Sequence, residues 1–266
     1  MTMTPTGPAG PPPATTAQPP PARPTGSNGP VFAALYRLLL RQQLTKGRIL
    51  LAVVMGGFAL LLGVLVARSG SSDQSREMVE VISVLGLGLT VPILSLVLAS
   101  SSLGQLVEDE TLVYLWLRPN PRWVVAMAGW LAAATVAVPM TVIPLTVAAM
   151  IGTGTDIEAT LAVAAAVTLA STAYTAVFTL LGLLLRRSLI WGLVYVFVWE
   201  FFVARVGQGA ARLSINTYPS SVLSKITDVE LPLAERSLGF GIATPIAVSI
   251  LAVVLTAWRL ARTNVA

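Results

Sequence analysis

The chain has 266 residues, 55% hydrophobic and 11% charged, with net charge +5 and mean hydropathy +0.79; a water-soluble domain of this size cannot hide so much apolar surface, so lipid is the expected solvent. Lacking both Cys and His, it is excluded from disulfide and thiol chemistry, Ser-His catalysis, the H-E-x-x-H zinc motif and haem ligation by imidazole. The positive balance does not call for nucleic acid, because membrane proteins collect Lys and Arg on their cytoplasmic side.

Residues 1–30 hold ten of the 18 prolines and a single charge, Arg23. Such a tail buries nothing and is expected to be disordered or polyproline-like. It has neither the basic start nor the apolar core of a secretory signal. Residues 31–48 then read as one amphipathic helix. Val31, Phe32, Leu35, Leu38 and Leu39 cluster on one side of the wheel and Arg37, Arg41 and Arg48 on the other. That is the pattern of a helix lying in the membrane interface, cations toward lipid phosphates.

Six apolar runs follow, at Ile49–Ala67, Val79–Leu98, Val124–Ile151, Thr160–Leu185, Leu189–Val206 and Leu238–Trp258. Crossing ~30 Å of hydrocarbon takes about 20 helical residues, so the expected fold is an all-α bundle of six transmembrane helices. Pro139 and Pro144 predict a kink or tilt in the third run, and Pro92 and Pro245 milder bends in the second and sixth. With the N-terminus inside, the cytoplasmic segments carry eleven of the cations and the outer segments six, which places both termini in the cytoplasm. Of the acids, only Glu108, Asp109 and Glu110 fall inside.

The polar interval Gln105–Trp123 between the second and third runs reads as a short amphipathic helix. Its three acids suit a helix start. Leu112, Leu115 and Trp116 share a face, and Pro119 and Pro121 end it after Arg118. A helix this short is marginal alone and must dock on something. Residues 207–237, between the fifth and sixth runs, mix apolar and charged residues; they form either two short re-entrant helices or a plain outer loop.

Apart from Glu80 at the very start of the second run, Glu200 is the only acid inside an expected span. A charge at mid-span costs about 2.5–3.5 kcal/mol on insertion scales, so it should face a bundle interior or a cavity, with Arg205 as its partner. It either lines a translocation path, supports the turn into the re-entrant segment, or caps backbone groups near the outer interface. Ser100, Ser101 and Ser102 have no His or nearby Lys to activate them and read as packing residues. No catalytic set, metal site or G-x-x-x-x-G-K-[ST] phosphate loop is present, and no Gly-Lys pair occurs at all.

The stretch VEDETLVYLWLRPNPRW resembles the coupling region of permease subunits of ABC-2 type ABC transporters, in Glu108, Asp109, Thr111, Leu112, Leu115, Pro119 and Arg122. It departs at Glu110, where family members often carry Gly. The Trp199-Glu200 pair and the segment LSINTY (Leu213 to Tyr218) resemble the same family. So does the layout: an interfacial helix, six spans and a long outer segment before the last.

The resemblance implies a multi-pass subunit of a bacterial plasma membrane, paired with a second permease, identical or related. Two cytoplasmic ATPase subunits would supply ATP and Mg sites that this chain lacks. Tyr114, Leu115 and Trp116 would seat in the ATPase and Glu108 and Asp109 meet its basic groups; alternatively the aromatics anchor the helix among headgroups. The cargo of such an exporter would be lipidic, amphipathic or drug-like. The rival reading is a membrane scaffold or sensor whose cytoplasmic helix recruits a soluble partner.

Overall fold

Over nearly all of its described residues, each of the six apolar runs is helical in the computed structural model, which describes residues 28–108, 121–204, 208–232 and 236–262. No strand occurs among the described residues. The Pro-rich residues 1–27 lie outside them. Helix α1 (Asn28–Gln43) and α2 (Lys46–Ala67) are separate, whereas the sequence reads as one interfacial helix to Arg48. The break is at Thr45, whose extended backbone (φ −96°, ψ 149°) caps α2. Lys46 and Arg48 therefore belong to the first turn of α2, and only Arg37 and Arg41 share a face of α1. The apolar side of α1 lies against protein: Leu39 packs on Ala128 and Ala132 with Phe32, Leu35, Tyr36 and Leu40 around it.

Helix α3 (Gln74–Val81) passes through a π-helical segment (Ile82–Thr90) directly into α4 (Val91–Glu108). The π register has a local cause. Pro92 has no N–H to give the turn before it, and Val91 N–H reaches back five residues to the Gly86 carbonyl. Thr90 Oγ1 donates to the Leu85 carbonyl at 2.9 Å across the same widened turn. Next come α5 (Arg122–Thr153) and α6 (Ile157–Leu184), then α7 (Ser188–Val194), which runs into a second π segment (Tyr195–Val203). Two short helices, α8 (Gln208–Ala211) and α9 (Thr217–Thr227), precede α10 (Leu238–Arg262).

Five helical stretches are long and apolar enough to cross a membrane: Lys46–Ala67, Gln74–Gly104, Arg122–Thr153, Ile157–Leu184 and Leu238–Arg262. These answer five of the six expected runs. The remaining one is the 16-residue apolar helix Ser188–Val203. At 1.5 Å per residue these 16 residues reach about 24 Å, and the end of the run, residues 205–206, lies outside the described residues.

Helix α6 is the central post. Its Ala159, Ala162, Ala166, Ala170 and Ala173 are buried at helical spacing, and small side chains let neighbouring backbones approach. One close approach is at Gly182, where an added Cβ would lie 2.8 Å from the Ser100 carbonyl oxygen of α4. Asp73 and Asp156 start α3 and α6 by accepting from Arg76 N (3.1 Å) and Ala159 N (3.0 Å). Outward faces of α2 and α10 stay apolar, with Leu50, Val53, Ile250 and Leu251 all more than half exposed, as suits a hydrocarbon solvent.

Candidate functional site

The ends of the bundle differ in charge. At one end Leu103 of α4, Val125 and Ala126 of α5 and Leu260 of α10 form a cluster, with Leu35 and Leu183 packed against it. This end holds the exposed Arg37, Arg41 and Lys46, the Arg186-Arg187 pair and Arg262. Exposed Trp123, Trp191 and Trp258 mark the same level, and the Arg262 guanidinium sits 4.0 Å from the Trp258 ring centre. At the opposite end Asp73, Arg76, Asp156, Thr227 and Asp228 line an open pocket of about 300 Å³. No group of three acids suited to a metal ion occurs among the described residues.

Helix α4 delivers the chain to the basic end, and its last residue is Glu108. Residues 105–108 thus continue the apolar helix, where the sequence suggests the start of a new one; no Pro interrupts the run, so the existing helix is extended more easily than a fresh one is nucleated. Asp109, Thr111, Leu112, Tyr114, Leu115 and Trp116 lie outside the described residues. Arg122 opens α5, directly after Pro121 in extended conformation (φ −60°, ψ 129°). Position one is where proline-adjacent helix starts are tolerated, because the first N–H groups have no intrahelical acceptor.

The base of α4 is tied to the α1–α2 junction. Gln43 is buried, and its Oε1 accepts from Ser101 Oγ (3.3 Å) and from Arg48 Nη1 (3.2 Å). Ser101 and Ser102 hydroxyls also donate to carbonyls of their own helix, as packing residues do.

Glu200 is buried with its carboxyl oxygens hydrogen-bonded. It is 2% exposed. Oε1 accepts from Tyr195 Oη (2.7 Å) and from the Ile215 backbone N–H (3.0 Å), and Oε2 accepts from Ser214 Oγ. Tyr195 and Glu200 are five residues apart, a poor spacing on an α-helix, but the π segment widens the turn and puts both on one face. Tyr195 also meets Phe178 edge-on (centroids 6.2 Å), and Phe178 stacks on Tyr174 at 5.7 Å. Tyr174 is fully buried, with its ring against Phe178 and its hydroxyl facing the Glu200 carboxyl group.

Through Ser214 and Ile215 the carboxylate holds the turn that leads into α9. The rest of that segment satisfies its own polar groups: Thr217 Oγ1 donates to the Ala211 carbonyl (2.7 Å), Tyr218 Oη to that of Arg212 (2.8 Å) and Ser224 Oγ to that of Val229 (2.6 Å). Ser221 Oγ accepts from Arg236 N (3.3 Å). Helix α9 is buried along Thr217–Ser224 and packs against α6 and α10. The contacts of Glu200 are those of a group that caps the Ile215 N–H and reaches the turn before α9 through Ser214. Arg205, its expected partner, lies outside the described residues. Sequence reasoning missed Tyr174, Tyr195, Ser214 and Ile215; the signal available was a Tyr five residues before the lone acid and hydroxyls in LSINTY.

Chemically the arrangement is a clamp. Three neutral donors, the Tyr195 and Ser214 hydroxyls and the Ile215 N–H, fix one carboxyl group. Comparison with known proteins adds no identity: no protein-family model matches the chain, and no curated protein sequence matches it.

Proposed function

We propose that the chain is the transmembrane permease subunit of an ABC-2 type transporter, driven by a separate cytoplasmic ATPase through residues 105–123. The observation that carries this reading is where the helices flanking the polar interval end and begin, at Glu108 and Arg122. The interval joins the two long apolar helices α4 and α5 at the basic, Trp-marked end, where positive charge marks the cytoplasmic side. A segment there is reached by a soluble motor, and any displacement of it acts directly on two helices that pack against α6.

On this reading Glu108 and Asp109 meet basic groups of the ATPase, and Tyr114, Leu115 and Trp116 seat in it, with Thr111, Leu112 and Arg122 completing the contact. ATP and Mg bind the partner subunits, two per permease pair. Substrate bound in the permease biases the ATPase as strongly as ATP biases the permease, because linkage is reciprocal. The short apolar helix Ser188–Val203 and α9 together form the outer part of the path, with α9 entering the outer leaflet from the far side. A buried α9 whose ends are hydrogen-bonded within the protein supports that placement, since backbone at membrane depth has no water to bond. The absence of a ring of charges along the long helices favours a lipidic or amphipathic exported cargo.

Co-purification tests it. Gently solubilised tagged chain should bring an ATP-binding subunit and ATPase activity. Glu108→Ala/Trp116→Ala should uncouple hydrolysis from transport while the chain still inserts. A chain that recruits no ATPase, or a variant with wild-type coupling, contradicts the reading.

A further inference from the structure

We propose that the junction between α1 and α2 is a binding site for anionic phospholipid headgroups. Four cations fall within residues 37–48: Arg37, Arg41, Lys46 and Arg48. The first three are exposed, and none has an ion-pair partner among the described residues. The acids with described side chains lie at the opposite end of the bundle or at Glu200. Arg48 is half-buried and oriented by its bonds to the Gln42 carbonyl (2.7 Å) and Gln43 Oε1. Concentrated positive charge with no acid beside it among the described side chains attracts an external anion.

The apolar neighbours say which anion. Leu38 is 62% exposed and Leu44 52%, so the cations are interleaved with side chains that need hydrocarbon beside the charge. A free phosphate offers only charge and a nucleic acid no acyl chain, whereas an anionic phospholipid offers both. The site is also held in shape. Leu39 and Gln43 are buried under it, and Tyr36 Oη donates to Thr135 Oγ1 of α5 at 3.0 Å, so the cations sit on a seated helix and lose little freedom on binding. Because Gln43 also bonds Ser101 of α4, a lipid here stiffens the base of the helix that leads to residue 108. The inference rests on the chain being membrane-embedded with this end among headgroups. It does not depend on an ATPase.

The chain has no cysteine, so Leu44→Cys gives a single attachment point for an environment-sensitive fluorophore. Full-length labelled protein in neutral detergent is titrated with phosphatidylglycerol, phosphatidylcholine or inorganic phosphate. Phosphatidylglycerol should saturate the signal at the lowest concentration, with a salt-dependent midpoint, and inorganic phosphate should give no response. Each basic residue near an anionic surface contributes about fivefold, so Arg37→Gln/Arg41→Gln/Lys46→Gln should shift the midpoint on the order of a hundredfold, toward the phosphatidylcholine value. Arg37→Lys/Arg41→Lys keeps the charge and should keep the preference. An equal response to the two lipids, or a triple variant that retains the preference, overturns the proposal alone. Silence toward both lipids takes the junction out of the headgroup layer and overturns the membrane placement with it.

Discussion

Tyr195 Oη donates to Glu200 Oε1 at 2.7 Å across five residues of one helix. The bond exists because the helix is locally π, and it makes the buried acid of the fifth apolar run part of a structural clamp. A buried carboxylate with neutral donors gains from each hydrogen bond about 1.5–3 kcal/mol, and it costs several if left bare. The clamp joins the last turns of the fifth apolar helix to the turn before α9, two elements that chain connectivity alone would leave free to separate.

That coupling is measurable by a double-mutant cycle. Tyr195→Phe and Glu200→Gln should each destabilise the protein in denaturant unfolding in micelles. Their interaction energy should be about 1.5–3 kcal/mol. Effects that add to within about 0.5 kcal/mol would mean that the pair does not act as one unit.

Removing the carboxylate should loosen α9 itself. Val222 is 1% exposed, wedged against Gly241 of α10, so Val222→Cys reacts slowly with thiol reagents. Glu200→Ala in that background leaves the Ser214 hydroxyl and Ile215 N–H buried without an acceptor, at about 1–3 kcal/mol each. Labelling should accelerate by roughly tenfold or more, if the opening that exposes position 222 is the one the clamp resists. An unchanged rate would show that α9 is held by its packing alone.

Close helix contact makes a second, independent forecast on α2. A Cβ at Gly63 would lie 2.5 Å from the Ala148 carbonyl oxygen, whereas one at Gly57 would meet nothing within 4 Å. Gly63→Ala should cost about 1–3 kcal/mol by forcing α2 away from α5. Gly57→Ala on the same helix should be neutral or slightly stabilising. Equal effects from the two, read by thermal unfolding in detergent, would contradict the α2–α5 packing.

The long helices were legible because lipid demands continuous apolar runs, and five of six runs came out near their expected ends. The remaining run, Leu189–Val206, gives the 16-residue apolar helix Ser188–Val203, and its last residues lie outside the described ones. The split between α1 and α2 was hidden because Leu44 and Thr45 carry no Gly or Pro to mark it. Glu200 stood out as a lone acid, but its partners did not. Pairing by 3.6-residue periodicity passes over Tyr195, and Ser214 and Ile215 arrive from a segment whose fold is set by tertiary contact. The acids 108–110 read as a helix start because sequence alone does not show that α4 already extends to Glu108.

The central claim is that a lipid-embedded bundle is driven from the cytoplasm through the interval joining α4 to α5. A membrane-impermeant maleimide on a chain with no native thiol tests it most directly, with Tyr114→Cys in that interval and Leu213→Cys, at a residue 70% exposed near the other end. In intact cells Leu213→Cys should label and Tyr114→Cys should not; in inside-out vesicles the pattern should reverse. Labelling of Tyr114→Cys from outside intact cells would put the interval beyond the reach of any cytoplasmic motor and contradict the account.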